Sequence, residues 1–247
     1  MEDTLPRVEP TRLVLDAPSG RLAVDEIRLG GAPRGAVVVL DAPDELGGTA
    51  AVLNELAGHG YTSVGARLPP GAEDSELRDD AHRLLDVLER RGFAADGCAV
   101  LGYGAGARAA LHLATDRIGA AVSISPDTGP DLAHLDRLRT PWLGLFGLPP
   151  SGLDPVADRL EQTVTASAQA HCSVVRYPGV GPDFHLDSAD PAVHAACFDA
   201  WQRAVEWLNL RVAPPPTELA LLWERRRSGT DPEHAAPGST TTTARKG

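Results

Sequence analysis

Six short strand-like segments, several of them almost continuously apolar, constrain the fold more than any other feature of this chain. They are Ala36–Leu40, Tyr61–Ala66, Cys98–Leu101, Ile118–Ile124, Trp142–Phe146 and Cys172–Tyr177. A strand that is apolar on both faces belongs in a parallel sheet covered by helices on either side. Helical stripes fall between these runs. Leu77, Ala81, Leu84 and Leu88 recur at i, i+4, i+7 and i+11, and His194, Phe198, Trp201, Val205 and Leu208 repeat the spacing on the last long helix. Asp154-Pro155 predicts an N-cap followed by a first-turn proline. Such alternation requires right-handed crossovers, so the expected fold class is α/β: a doubly wound, mostly parallel sheet with helices on both faces. Two further strands, Arg12–Leu15 and Arg21–Leu29, precede the series. The second alternates imperfectly, as an edge strand open on one face does.

Composition bounds the organisation. With 247 residues and 43% hydrophobic content, the chain can bury one full α/β core. Ala213-Pro-Pro-Pro216 stops the last long helix. The expected division is residues 1–212 as the domain, 213–227 as a proline-rich linker with a short helix, and 228–247 as a disordered tail poor in apolar residues. A net charge of −11 argues against nucleic-acid binding. No apolar run is long enough to span a bilayer, and Met1-Glu-Asp-Thr4 lacks the basic start of a secretory signal. The expected location is therefore cytoplasmic, without membrane partners, and self-association into a homo-oligomer stays open. Cys98, Cys172 and Cys197 are odd in number and lack metal-type spacing, which predicts buried reduced thiols. No metal and no cofactor is expected.

The chemistry centres on Gly102-Tyr103-Gly104-Ala105-Gly106. It follows an apolar strand and opens an Ala-rich helix, the strand–turn–helix setting of a G-x-S/C-x-G nucleophile elbow. The seat that should carry a hydroxyl or thiol holds Gly104. Glycine accepts the strained backbone of such a turn at little cost. The amides of Ala105 and Gly106 still open a helix and are suited to an oxyanion or other anion.

Three segments together resemble the dienelactone hydrolase family of α/β-hydrolases. They are Gly58-His-Gly-Tyr61, Leu101-Gly-Tyr-Gly-Ala-Gly106 and Tyr177-Pro-Gly-Val-Gly-Pro-Asp-Phe-His185, and the resemblance runs from about Val14 to Val212. It implies an α/β-hydrolase fold and a Cys/Ser–His–Asp triad that cleaves esters or lactones through an acyl-enzyme. Carried over position by position, the nucleophile's seat is Gly104, the base's is Pro182 and the acid's is Pro150. None of these side chains offers a nucleophile or proton chemistry, and losing one triad member already cripples the machinery.

The substitutes at hand are His185, Asp183 and Ser125, with Asp127 a further carboxylate and Asp154 a displaced acid if it is not a cap. Ser123 and Ser125 end a strand at the ligand-binding edge and are expected to line the pocket. The expected ligand site is Tyr103, Gly104, Ala105, Gly106, Asp41, Ser125 and His185. Asp41, Asp44 and Glu45 form an acidic cluster that either binds a cation or is simply solvated. The leading expectation is a family member without triad hydrolysis that binds a small carbonyl-bearing or anionic molecule. It acts either as a pseudoenzyme or as a non-hydrolytic cyclase, isomerase or lyase. Two alternatives stay open: an ester or lactone hydrolase with relocated residues, and an interaction protein acting through its C-terminal tail around Trp223.

Overall fold

A computed structural model describes residues 7–126, 137–152, 154–186 and 189–227. The strands are β1 Thr11–Ala17, β2 Gly20–Ile27, β3 Gly35–Leu40, β4 Tyr61–Ala66, β5 Cys98–Tyr103, β6 Ala120–Ile124, β7 Trp142–Gly147 and β8 Cys172–Tyr177. They form one sheet in the order β1-β2-β4-β3-β5-β6-β7-β8. β1 pairs antiparallel with β2, and β2 antiparallel with β4. From β4 to β8 every pairing is parallel. All residues of β3 to β7 are buried, as both-face burial predicts.

Helices cover both faces. They are α1 Gly48–Gly58, α2 Asp74–Arg90, α3 Ala105–Leu113, α4 Pro155–Ser167 and α5 Pro191–Arg211. α2, α3 and α4 bury their apolar stripes against one face of the sheet, among them Leu77, Ala81, Leu84 and Leu88. α1 and α5 cover the other. Asp154 caps α4 by accepting from the amides of Val156 and Ala157 at 2.9 and 3.2 Å. The strand order reverses at β3: the chain crosses from β3 to β4 on one side, then returns to β5 on the other. The loops after β3 and β5 diverge there, leaving a crevice at the carboxyl ends of the strands.

Four expectations change. β2 is not an edge strand, because β1 covers its free side with a ladder running from Thr11–Glu26 to Ala17–Gly20. β1 is the edge. On α5 the face turned to the sheet carries Ala196, Ala200, Ala204 and Leu208, while Phe198 is 61% exposed. Small residues let that helix approach closely, and the larger ring falls outside the contact. Ser123 does not line a pocket. It is fully buried, donates to the Ala107 carbonyl at 2.7 Å and accepts from the Trp142 indole at 2.9 Å, tying α3 to β6 and β7. Among the thiols only Cys98 is buried; Cys172 and Cys197 are half-buried, and none of the three is in a disulfide. Burial, with Asp96 and Glu89 nearby, pushes the Cys98 thiol up to about 12, so it is inert as a nucleophile.

The compact body extends through Pro215, and a second unit begins at Pro216. The described part of that unit contains α6, Glu218–Arg227, whose Leu219, Leu222 and Trp223 are exposed. Among the described residues no helix is long and apolar enough to cross a membrane.

A buried ion pair locks α2 to the sheet. Arg91, at the end of α2, donates twice to Glu26 on β2, both at 2.9 Å, and Glu26 is only 3% exposed. Removing the guanidinium leaves a buried carboxylate alone, which is far costlier than the pair is stabilising. Because the Arg91 side chain is itself one-third exposed, Arg91→Met is expected to lose about 2–3 kcal/mol, toward the lower end for a broken buried pair. Urea unfolding would measure it, and Glu26→Gln in the same background should recover part of the loss.

Candidate functional site

The turn after β5 is built by close backbone approaches. A Cβ on Gly102 would lie 2.0 Å from the carbonyl oxygen of Gly106, and one on Gly106 would lie 2.6 Å from that of Leu40. Only glycine at both positions lets α3 begin immediately against β3 and β5. Between them Gly104 adopts φ 52° and ψ −115°, in the left-handed half of backbone space. A Cβ there would meet nothing within 4 Å outside its chain neighbours. The turn therefore holds the geometry of a nucleophile elbow with open space above its central residue.

The neighbouring strand ends share this strain. Asp41 after β3 has φ 55° and Ser125 after β6 has φ 46°, the only non-glycine residues with positive φ among those described. Three consecutive strands, β3, β5 and β6, thus end in left-handed residues around one point. Such conformations persist where the surroundings impose them, and they cluster at working sites.

Hydrogen bonds set what each side chain offers. The Gly104 amide donates to the Ile124 carbonyl at 3.2 Å, holding the elbow against β6. The Ser125 hydroxyl donates to the carbonyl of Pro182, which brings the loop after β8 over the elbow. In that loop Gly181 donates to the Leu148 carbonyl at 2.9 Å, so the segment after β7 is tied in as well. Pro150 and Pro182 are exposed turn residues, as is Asp183. His185 is half-buried; its Nδ1 lies 3.3 Å from the Pro182 carbonyl and its ring 5.7 Å from that of Tyr103. Burial lowers the His185 pKa, against smaller opposing effects from the Pro182 carbonyl, Asp183 and Glu45. A neutral ring donating from Nδ1 to that carbonyl leaves Nε2 as a proton acceptor.

The structure thus gathers Tyr103, Gly104, Ala105, Gly106, Ser125, Pro182 and His185 at one place. Asp41 turns aside: its carboxylate accepts from the Leu68 amide at 2.7 Å. Asp44 pairs with Arg67 at 2.6 Å, so the acidic cluster is divided rather than pooled. Asp127 lies outside the described residues.

Beside the elbow lies a cavity of about 480 Å³ between α1 and α5, floored by Tyr103 and Ile124 and reached by His185. Its α1 and α5 walls include Glu55, His59, His194, Cys197, Phe198 and Trp201, none of which sequence reasoning selected for a site. No motif joins them. The available signal was the placement of aromatic Phe198 and Trp201 beside the small residues of α5.

This sheet order, with its strained strand–turn–helix after β5, defines an α/β-hydrolase fold. The family model for the dienelactone hydrolase family matches residues 36–211. The chain belongs to that family. Among solved structures it is similar to a candidate dienelactone hydrolase from Klebsiella pneumoniae subsp. pneumoniae MGH 78578, at 18% identity and a TM-score of 0.65, covering 80% of this chain and 97% of that one. It is also similar to the dienelactone hydrolase-like promiscuous phosphotriesterase P91 from metagenomic libraries, at 16% identity and a TM-score of 0.64, covering 81% and 98%. A third is the Pyrobaculum calidifontis esterase, at 18% identity and a TM-score of 0.59, covering 83% and 85%. No curated protein matches the sequence.

Two measurements probe this geometry. Gly104→Ala, which meets only the backbone penalty, is expected to cost about 1–2 kcal/mol. Gly102→Ala and Gly106→Ala, which force backbone apart, should each cost about 3 kcal/mol or more; urea titration of the three variants gives the ranking. For His185, the imidazole proton resonances should titrate below the ordinary value of about 6.5. The folded ring then binds its proton less tightly than the unfolded one. Its contribution to stability is complete above pH 6.5 and is lost as pH falls toward the folded pKa, a slope that His185→Gln should remove.

Proposed function

We propose that this member of the dienelactone hydrolase family does not hydrolyse through a triad, and binds a small carbonyl-bearing or anionic molecule over the Gly104 turn. The observation that carries the reading is the open space above Gly104 in a backbone that still has the elbow's angles. A nucleophile's position is free, and the amides of Ala105 and Gly106 at the start of α3 remain to polarise a carbonyl oxygen. The carry-over of the other two triad seats onto Pro150 and Pro182 supports the same conclusion.

Of the two forms such a protein can take, the His185 ring favours catalysis by proton transfer. A neutral imidazole with a free Nε2, packed against Tyr103 beside the cavity, suits abstraction of a proton next to a carbonyl held on the amides. The proton passes to Nε2, the electron pair moves into the carbonyl, and the resulting enolate oxygen is held by the two amides. Return of the proton at another carbon completes an isomerisation, and loss of a β-substituent completes an elimination. Ser125 is a poor relocated nucleophile, because its hydroxyl donates to the Pro182 carbonyl and no imidazole takes its proton.

The test is incubation with activated aryl esters and with a fluorophosphonate or iodoacetamide-type probe. The expected result is no burst and no label on Ser125, Cys197 or any other residue of the site. Deuterium exchange at the α-carbon of simple ketone ligands should occur with the protein and fall by about a hundredfold or more in His185→Gln. An acyl adduct on any side chain, with turnover, would overturn the proposal and restore hydrolysis.

A further inference from the structure

The cavity between α1 and α5 has a character of its own. At about 480 Å³ it lies within the size range of small-molecule sites, about 300–1,000 Å³. Its walls are aromatic: Trp201 stands 6.4 Å from the His59 ring on one side, and Tyr103 stands 5.7 Å from the His185 ring on the floor. Its formal charges are the carboxylates of Glu45 and Glu55 against the one guanidinium of Arg7. Both carboxylates are exposed, and neither is in an ion pair with a described residue. The remaining titratable groups on the walls are His59, His185 and His194 with the Cys197 thiol, and burial holds His185 neutral.

Aromatic faces next to carboxylates make an environment that attracts cations. Ring quadrupoles draw a cation over their faces, and carboxylates with no ion-pair partner among the described residues add to that field. An anion would meet the opposite, apart from Arg7 on one wall.

We propose that this cavity binds an amine: a small molecule with a flat apolar body stacked on Trp201 and Tyr103, and a protonated nitrogen directed to Glu45 and Glu55. The inference deepens the function above by describing the rest of the ligand whose carbonyl would reach the elbow, and rests on that reading for the carbonyl end alone. The ligand class is therefore an amine-bearing aromatic carbonyl compound, held as a cation at one end and as a polarised carbonyl at the other.

Three probes share one ring and differ in charge: tryptamine, indole and indole-3-acetate. Calorimetry on the full chain should find tryptamine binding about tenfold more tightly than indole-3-acetate, with indole between them. Raising the salt concentration should weaken tryptamine binding and spare indole. The double variant Glu45→Gln/Glu55→Gln should reduce tryptamine affinity about fivefold and leave indole unchanged. Equal or reversed order among the probes, or indifference of tryptamine to the double variant, would overturn the proposal, as would failure of all three to bind. Tryptophanamide, which adds a carbonyl, separates the two readings. If the elbow reading holds, it shifts the amide resonances of Ala105 and Gly106, which tryptamine and indole leave still. If that reading fails, those resonances stay still while the charge preference of the cavity persists.

Discussion

The approach of the first turn of α3 to the end of β3 is the contact on which the rest of this site depends. The Leu40 carbonyl occupies space that any side chain at position 106 would need, and the Gly106 carbonyl does the same to position 102. With both positions bare, helix and strands meet at backbone distance. The consequence is geometric: α3 starts without an intervening loop, and its first amides face the crevice where the strand order reverses. Ser123, donating to Ala107 and receiving from Trp142, holds the same helix from below. Arg108 and His112, at 3.3 and 3.1 Å from Asp74, hold it from the side of α2.

Around that anchor the molecule separates two kinds of polarity. Over the elbow, the exposed groups are backbone donors at the start of a helix, suited to an oxygen that carries or develops negative charge. In the neighbouring cavity the fixed charges are mainly carboxylates and the walls are rings. His185 stands at the boundary, sharing the Pro182 carbonyl with Ser125 on one side and facing Tyr103 on the other. A molecule lying across both spaces would be oriented by its own dipole, which a uniformly apolar pocket cannot do.

Much of the architecture was legible in the sequence because both-face burial leaves so plain a mark. The runs that became β3, β5 and β7 were visible as nearly unbroken apolar stretches, polar residues such as Thr62, Ser63 and Arg176 interrupt others, and the Asp154 cap was visible from its proline. β1 is harder to place, since an exposed edge carries Arg12, Val14 and Asp16 without a strong pattern, and the imperfect alternation of β2 is itself that of an edge. On α5 the aromatic residues outweighed the alanines in the periodicity, yet the alanines face the sheet. The elbow was legible through its glycines. Positive φ at Asp41 and Ser125 was not, because neither residue type demands it; tertiary contacts impose the conformation. The cavity left no local trace either, since its walls come from helices more than a hundred residues apart that are brought together only when both cover the same face of the sheet.

One modest feature ties this cavity to a remote part of the chain. The side-chain amide of Asn54 on α1 receives the Val8 N–H at 2.7 Å and donates to the Val8 carbonyl at 3.0 Å, clasping the strand-preceding segment as a paired strand would. Arg7, beside that clasp, is part of the cavity wall. Occupancy and docking of the segment are linked through Arg7: an occupant that its guanidinium helps to hold fastens the segment, one that its charge repels loosens it, and the segment acts back on the occupant by the same factor.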